Sequence, residues 1–157
     1  MPAQEHRTGS RIVAGVDGSP SSVSALRWAI GQAGLTGAAV DAVIAWHYPV
    51  ATGGYGWALT GMAAGMAGGG GFRESAEKIL AAAISAADPG EGVPVRARVV
   101  EGDPVRALLD ASAGAELLVV GSRGHGGFTE ALLGSVSQHC VHHAHCPVVV
   151  IRGQEHD

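Results

Sequence analysis

Lysine is almost missing from this chain: Lys78 stands alone among 157 residues. It lies in a helical stretch remote from the glycine-rich loops, so the phosphate loop that ends in Gly-Lys-Ser/Thr is excluded. Cysteine is scarce too, with only Cys140 and Cys146, and two such residues close together make no disulfide framework. With no secretory signal at the start, this points to a reducing, cytoplasmic setting. Basic charge is low, 10 Lys and Arg against 14 Asp and Glu for a formal charge of −4. Without a long Lys/Arg stripe to neutralise a phosphate backbone, a general nucleic-acid binder is not expected. Strongly apolar runs of membrane length are also lacking. The stretch from Pro49 to Gly71 carries no charge, but nine glycines fall between Gly53 and Gly71 and alanine is the commonest of the other residues. A membrane span needs roughly 20 strongly apolar residues, so no membrane partner is expected.

What remains is a chain 46% hydrophobic and 15% charged, of a size to bury one core. Met1 to Ser10 reads as a frayed tail, residues 11–152 as the domain and 153–157 as a second tail. Arg11 to Asp17 reads as a buried strand ending on an acidic residue. Ser19 caps a helix with Pro20 at its first position, and Val23, Leu26, Ile30 and Ala33 form its inward stripe. Gly34 and Gly37 end that helix. Ala39 to Trp46 is a second strand. Residues 50–71 form a glycine-rich insertion after it, a lid or a linker. Arg73 to Ala87 is an amphipathic helix stopped by Asp88-Pro89-Gly90, and Val93 to Glu101 alternates as an edge strand. Asp103 and Pro104 open another helix. Leu117 to Val120, a helix from Ser135 and Val148 to Ile151 complete the chain. Five strands alternating with four helices predict an α/β fold, a single parallel sheet with helices on both faces.

Two strand-to-glycine junctions stand out, Val16-Asp17-Gly18-Ser19 and Val120-Gly121-Ser122-Arg123-Gly124. The second continues through Gly126 and Gly127 to Gly134-Ser135 at the start of a helix. Glycines let backbone N–H groups approach an anion, and a helix start adds partial positive charge, so this stretch suits phosphate. The spacing is Gly121, two residues, Gly124, nine residues, then Gly134-Ser135. That pattern, with GVDGSPSS after the first strand and HCPVVVIR at the end, resembles the universal stress protein family in its ATP-binding subclass. The likeness runs from about Arg11 to Arg152.

The resemblance implies a Rossmann-like sheet of the adenine nucleotide alpha hydrolase-like kind, with strand order 3-2-1-4-5. Ligands of open α/β sheets bind where the winding reverses, so both junctions would face one crevice. Gly121, Gly124 and Gly134 are expected to give backbone access to a triphosphate, Ser135 its hydroxyl and Val136 its N–H. Arg123 is the nearest cation and suits a terminal phosphate. By resemblance, Asp17 touches the nucleoside or metal region, and Gly15 and Trp46 border the adenine. Trp46 would stack on the base or partly block it. Val16 and Val120 flank the two junctions. The expected ligand is ATP, with or without magnesium. The resemblance also implies a cytoplasmic homodimer, paired through Val148 to Ile151.

Plainer readings stand beside these. Ser135 also fits an ordinary helix cap, Asp17 a cap of the helix that follows it, and Arg123 a solvated loop residue. The dinucleotide fingerprint fails, because Gly124-His125-Gly126 lacks its third glycine and follows the fourth strand. His139 and His143, four apart, share a helix face, but no acidic third ligand accompanies them, so no metal site is expected. No general base or activating lysine stands beside the phosphates, which favours binding over turnover. The leading expectation is an ATP-binding regulatory or stress-response protein whose occupancy orders the glycine loop and alters a dimer or protein partner. A slow ATP hydrolase and a nucleotide-independent interaction protein are the alternatives.

Overall fold

A computed structural model of the chain describes residues 9–47, 71–122 and 134–152. Most of the expected tails, insertion residues 50–70, and the candidate residues Arg123 and Gly124 lie outside these described residues. The elements run β1 (Arg11–Gly15), α1 (Pro20–Thr36), β2 (Ala39–Trp46), α2 (Gly71–Ala87), β3 (Val95–Glu101), α3 (Pro104–Ala111), β4 (Leu117–Gly121), α4 (Ser135–His143) and β5 (Val148–Ile151). The five strands form one sheet in the order β3-β2-β1-β4-β5, every pair parallel. The expected fold class and strand order are both observed.

Parallel strands buried on both faces read as near-continuous apolar runs, and β1, β2 and β4 supply them with only Arg11 and Asp41 charged. One face packs Ile12, Ala14, Ile44 and Val119 against Ala25, Leu26 and Ile30 of α1 and Leu80 of α2. The opposite face packs Val13, Val43, Leu118 and Val120 against Leu108 of α3 and Cys140 of α4. Helices α1 and α2 therefore cover one side and α3 and α4 the other. The winding reverses between β1 and β4, the adjacent strands from which chain leaves toward opposite faces.

Local chemistry sets the helix ends. The Ser19 side chain accepts from Ser22 N, Pro20 opens α1, and Gly37 closes it in the left-handed region at φ 82°. Gly34, expected to end the helix, lies inside it; only Gly37 takes the positive φ that stops α1. Asp103 caps α3 by accepting from Arg106 N at 3.1 Å. Helix α2 starts two residues before the expected Arg73, and β3 begins at Val95 rather than Val93. Strand β3 is an edge, as its alternation implies, with Arg96 and Arg98 exposed.

Candidate functional site

The first junction begins where β1 ends. Val16 N still donates to Val43 O of β2 at 2.8 Å, and the chain then turns out of the sheet through Gly18 at φ 86°. Only glycine adopts that conformation without strain. Asp17 stands exposed at the lip, and its Oδ1 accepts from Ser19 N at 2.9 Å. Its own N–H donates to Ser22 Oγ at 3.2 Å, and that hydroxyl donates to Ser19 O at 3.0 Å. Asp17 thus braces the turn that starts α1, but the N-cap is Ser19, which corrects the capping alternative for Asp17, and Asp17 remains at the open end of the strand.

The second junction is clamped in three places. Ser122, buried at the end of β4, donates its N–H to Ile151 O at 2.8 Å. Its carbonyl accepts from Gly134 N at 2.7 Å and from Ser137 Oγ at 3.4 Å. The start of α4 is therefore fixed beside the end of β4. Gly134 is the N-cap residue, with no side-chain cap, so Ser135 is the first residue of the helix and not its cap. This corrects the capping alternative for Ser135. The first intrahelical bond runs from Gln138 N to Gly134 O at 2.9 Å. The N–H groups of Ser135, Val136 and Ser137 precede it, so no carbonyl within α4 accepts from them. Exposed Ser135 and half-buried Val136 stand at this helix end.

The two junctions meet. A side chain at Gly121 would collide with Ser21 Oγ and come within 2.8 Å of the Ser21 backbone carbonyl carbon. The first turn of α1 thus lies directly on the end of β4. Ser21 Oγ also reaches over to Ile151 O at 3.4 Å. On the other face, a Cβ at Gly15 would lie 2.9 Å from Leu108 Cδ1 and 3.5 Å from Val120 Cγ1. Gly15, Val16, Asp17, Val120, Gly121, Gly134, Ser135 and Val136 accordingly gather around the β1–β4 reversal. Trp46 ends β2 with its carbonyl accepting from Gly102 N at 2.7 Å, and its indole is 6% exposed within the α1/α2 core. Trp46 and Gly15 therefore face opposite sides of the sheet.

Reading the sequence alone missed the buried serines Ser21, Ser22, Ser122 and Ser137 that tie the junctions together. Small polar residues at element ends were the available signal. It also missed Asp41, a lone charge in an apolar strand, 2% exposed. Among the described residues no group of three His, Cys, Asp or Glu side chains could hold a metal ion. The His139 and His143 rings stack with centroids 6.2 Å apart, and His139 Nδ1 lies 2.8 Å from Ser135 O. Cys140 is fully buried, and burial first, with the Asp103 charge second, pushes its thiol up to about 11. Cys146, at the entry to β5, is half-buried. Among the described residues no helix is long and apolar enough to cross a membrane.

The parallel 3-2-1-4-5 sheet brings a strand-to-glycine junction and a helix start together at its reversal point. The family model for the universal stress protein family matches residues 9–152, and the chain belongs to that family. Universal stress protein Rv1996 of Mycobacterium tuberculosis is 35% identical over 164 aligned residues, covering 96% of this chain and 50% of its own length. The chain thus spans about half the length of the curated relatives it matches. The UspA structure from Lactobacillus plantarum superposes with a TM-score of 0.69 at 20% identity, covering 91% of this chain and 97% of that one. A universal stress protein solved in complex with cAMP superposes at 0.66 with 26% identity, covering 92% and 98%.

Proposed function

We propose that the chain binds ATP in the crevice at the β1–β4 reversal and acts as a regulatory protein of the stress response. The observation that carries this reading is the convergence of the two junctions, Asp17 beside the first turn of α1 and Gly134–Val136 beside the end of β4. An anion seated there meets the N–H groups that open α4, the Ser135 hydroxyl and the partial positive charge of the helix start. Arg123 and Gly124 continue the same loop and supply a cation and backbone access to the terminal phosphate. Asp17, at the lip, takes the nucleoside side, with Gly15 nearest the base, while Trp46, its ring inside the α1/α2 core, takes no part. The cAMP complex of a relative at 26% identity supports an adenine ring in this crevice.

Occupancy of the site changes how a partner sees the protein. The partner nearest to hand is a second copy: β5 is the other sheet edge, and all four of its residues, Val148 to Ile151, are apolar and only half-buried. The test is calorimetric titration of the purified chain with ATP, AMP and cAMP, with and without magnesium. The reading expects saturable binding at one site per chain, weakened at least about tenfold by Asp17→Ala and by Gly134→Ala with circular dichroism unchanged. Loss of one charge-assisted contact is on that scale for Asp17→Ala, and a methyl group at Gly134 hinders the close backbone approach on which the reading depends. Undiminished affinity in both variants would place the nucleotide elsewhere. Catalysed release of phosphate during the titration would instead favour a slow hydrolase.

A further inference from the structure

Toward the N-terminal ends of the strands, on the α3 side of the sheet, three arginines share one buried carboxylate. Asp41 sits within β2, its side chain 3% exposed, between Val13 of β1 and Arg96 of β3. Arg96 Nε donates to Asp41 Oδ1 at 2.9 Å. Arg11 Nε lies 3.4 Å and Arg98 Nη1 3.6 Å from Oδ2. Both carboxylate oxygens are engaged, and three guanidinium charges face one carboxylate. The cluster keeps its positive excess in a chain whose formal charge is −4.

The three arginines differ in what they have left to offer. Arg11, 23% exposed, donates from Nη2 to Ala111 O at 2.9 Å and Ala113 O at 2.8 Å, which ties the end of α3 to the sheet. It is a positioning residue. Arg96 and Arg98 are 62% and 45% exposed, and among the described residues Asp41 is the one acid within ion-pair reach of either. They stand two apart on an edge strand, on the same face and about 7 Å from each other along the chain. Asp41 draws both side chains toward one point, so much of the ordering that an anion would otherwise impose is already done.

We propose that Arg96 and Arg98, preset by Asp41, form a second anion site that takes a phosphate group, independent of the nucleotide crevice. The planar guanidinium fork matches phosphate oxygens bidentately, and a dianion balances the charge that Asp41 leaves over. The proposal does not rest on nucleotide binding at the strand ends. The competing role is purely structural: charged side chains on an edge strand discourage pairing with another sheet.

The experiment titrates the full chain at low salt with inorganic pyrophosphate and, separately, with phenyl phosphate, following the arginine Nε–Hε resonances by NMR. Saturable shifts are expected at Arg96 and Arg98 and not at Arg27. Arg98→Gln should weaken the response at Arg96 by about tenfold, the scale of one lost charged contact. Arg98→Lys should fall between, since it keeps the charge and loses the fork. ATP affinity should be unchanged in Arg98→Gln. Tighter binding of pyrophosphate points to an inorganic ligand, and equal or tighter binding of phenyl phosphate to a phosphorylated small molecule. The proposal is overturned if neither anion shifts Arg96 and Arg98 beyond what matched chloride does. It is equally overturned if Arg98→Gln leaves the Arg96 response intact.

Discussion

Single residues here carry more than one duty, and Gly121 shows how. Its place in a glycine-spaced motif was legible, and the proposed function gives it a phosphate to approach. The structure adds a packing reason, since Ser21 of α1 occupies the space where a side chain would go. Backbone cannot yield as a flexible side chain does, so Gly121→Ala should lower stability by about 1–3 kcal/mol, the cost of overpacking. Gly15→Ala meets only the movable end of Leu108 and should cost less. Urea denaturation of the two variants checks the order. A Gly121→Ala protein as stable as the parent would remove the close approach of α1 to β4. The cysteines make a second case. Cys140 is buried with its thiol pushed up to about 11, so it stays protonated where an unfolded thiol, near 9, would ionise. Its contribution is full below about 9 and is lost as pH rises toward 11, so stability should fall across that window. Cys140→Ala should flatten that fall, as read from urea midpoints at stepped pH. In the native protein, Cys146 should be alkylated well before Cys140.

At the scale of elements, the caps were readable because their chemistry is local. Ser19 before Pro20 and Asp103 before Pro104 need only a short side chain at the right place, and both accept the expected N–H. Replacing either by alanine should cost about 1 kcal/mol, measured by thermal or urea unfolding. No effect at either position would mean that packing alone fixes those helix starts. Where the sequence misled, a tertiary contact or a longer-range partner decided. Gly34 looked like a stop, yet α1 continues through it and leaves space that Val93 fills at 3.5 Å. Ser135 looked like a cap, but the bond from Gly134 N to Ser122 O moves the cap one residue earlier. Asp41 could not be paired from the sequence, because its arginines come from β1 and β3 and depend on strand register. Removing that carboxylate should cost less than breaking a fully buried pair, because Arg96 and Arg98 are 62% and 45% exposed and water would solvate them.

At the scale of the whole molecule, alternation of strand and helix was enough to give the parallel sheet, and the motif resemblance gave its order. Neither gave the face on which each side chain packs. That is why Trp46, read as a neighbour of the base, proves to have its ring inside the α1/α2 core. The two sheet edges divide along chemical lines: β3 presents arginines, and β5 presents four half-buried apolar residues. Pairing of copies through β5 predicts that Val149→Lys shifts the protein from dimer to monomer in sedimentation velocity, with its circular dichroism unchanged. A dimer that survives the change would move the interface off β5.

The reversal point between β1 and β4 is where fold, motif and family converge. The most direct measurement is to purify the protein from cells without added nucleotide, denature it, and identify by chromatography what it releases. The account predicts ATP at close to one per chain, lost in Gly134→Ala. A chain that releases no adenine nucleotide and takes up none when ATP is supplied would contradict it.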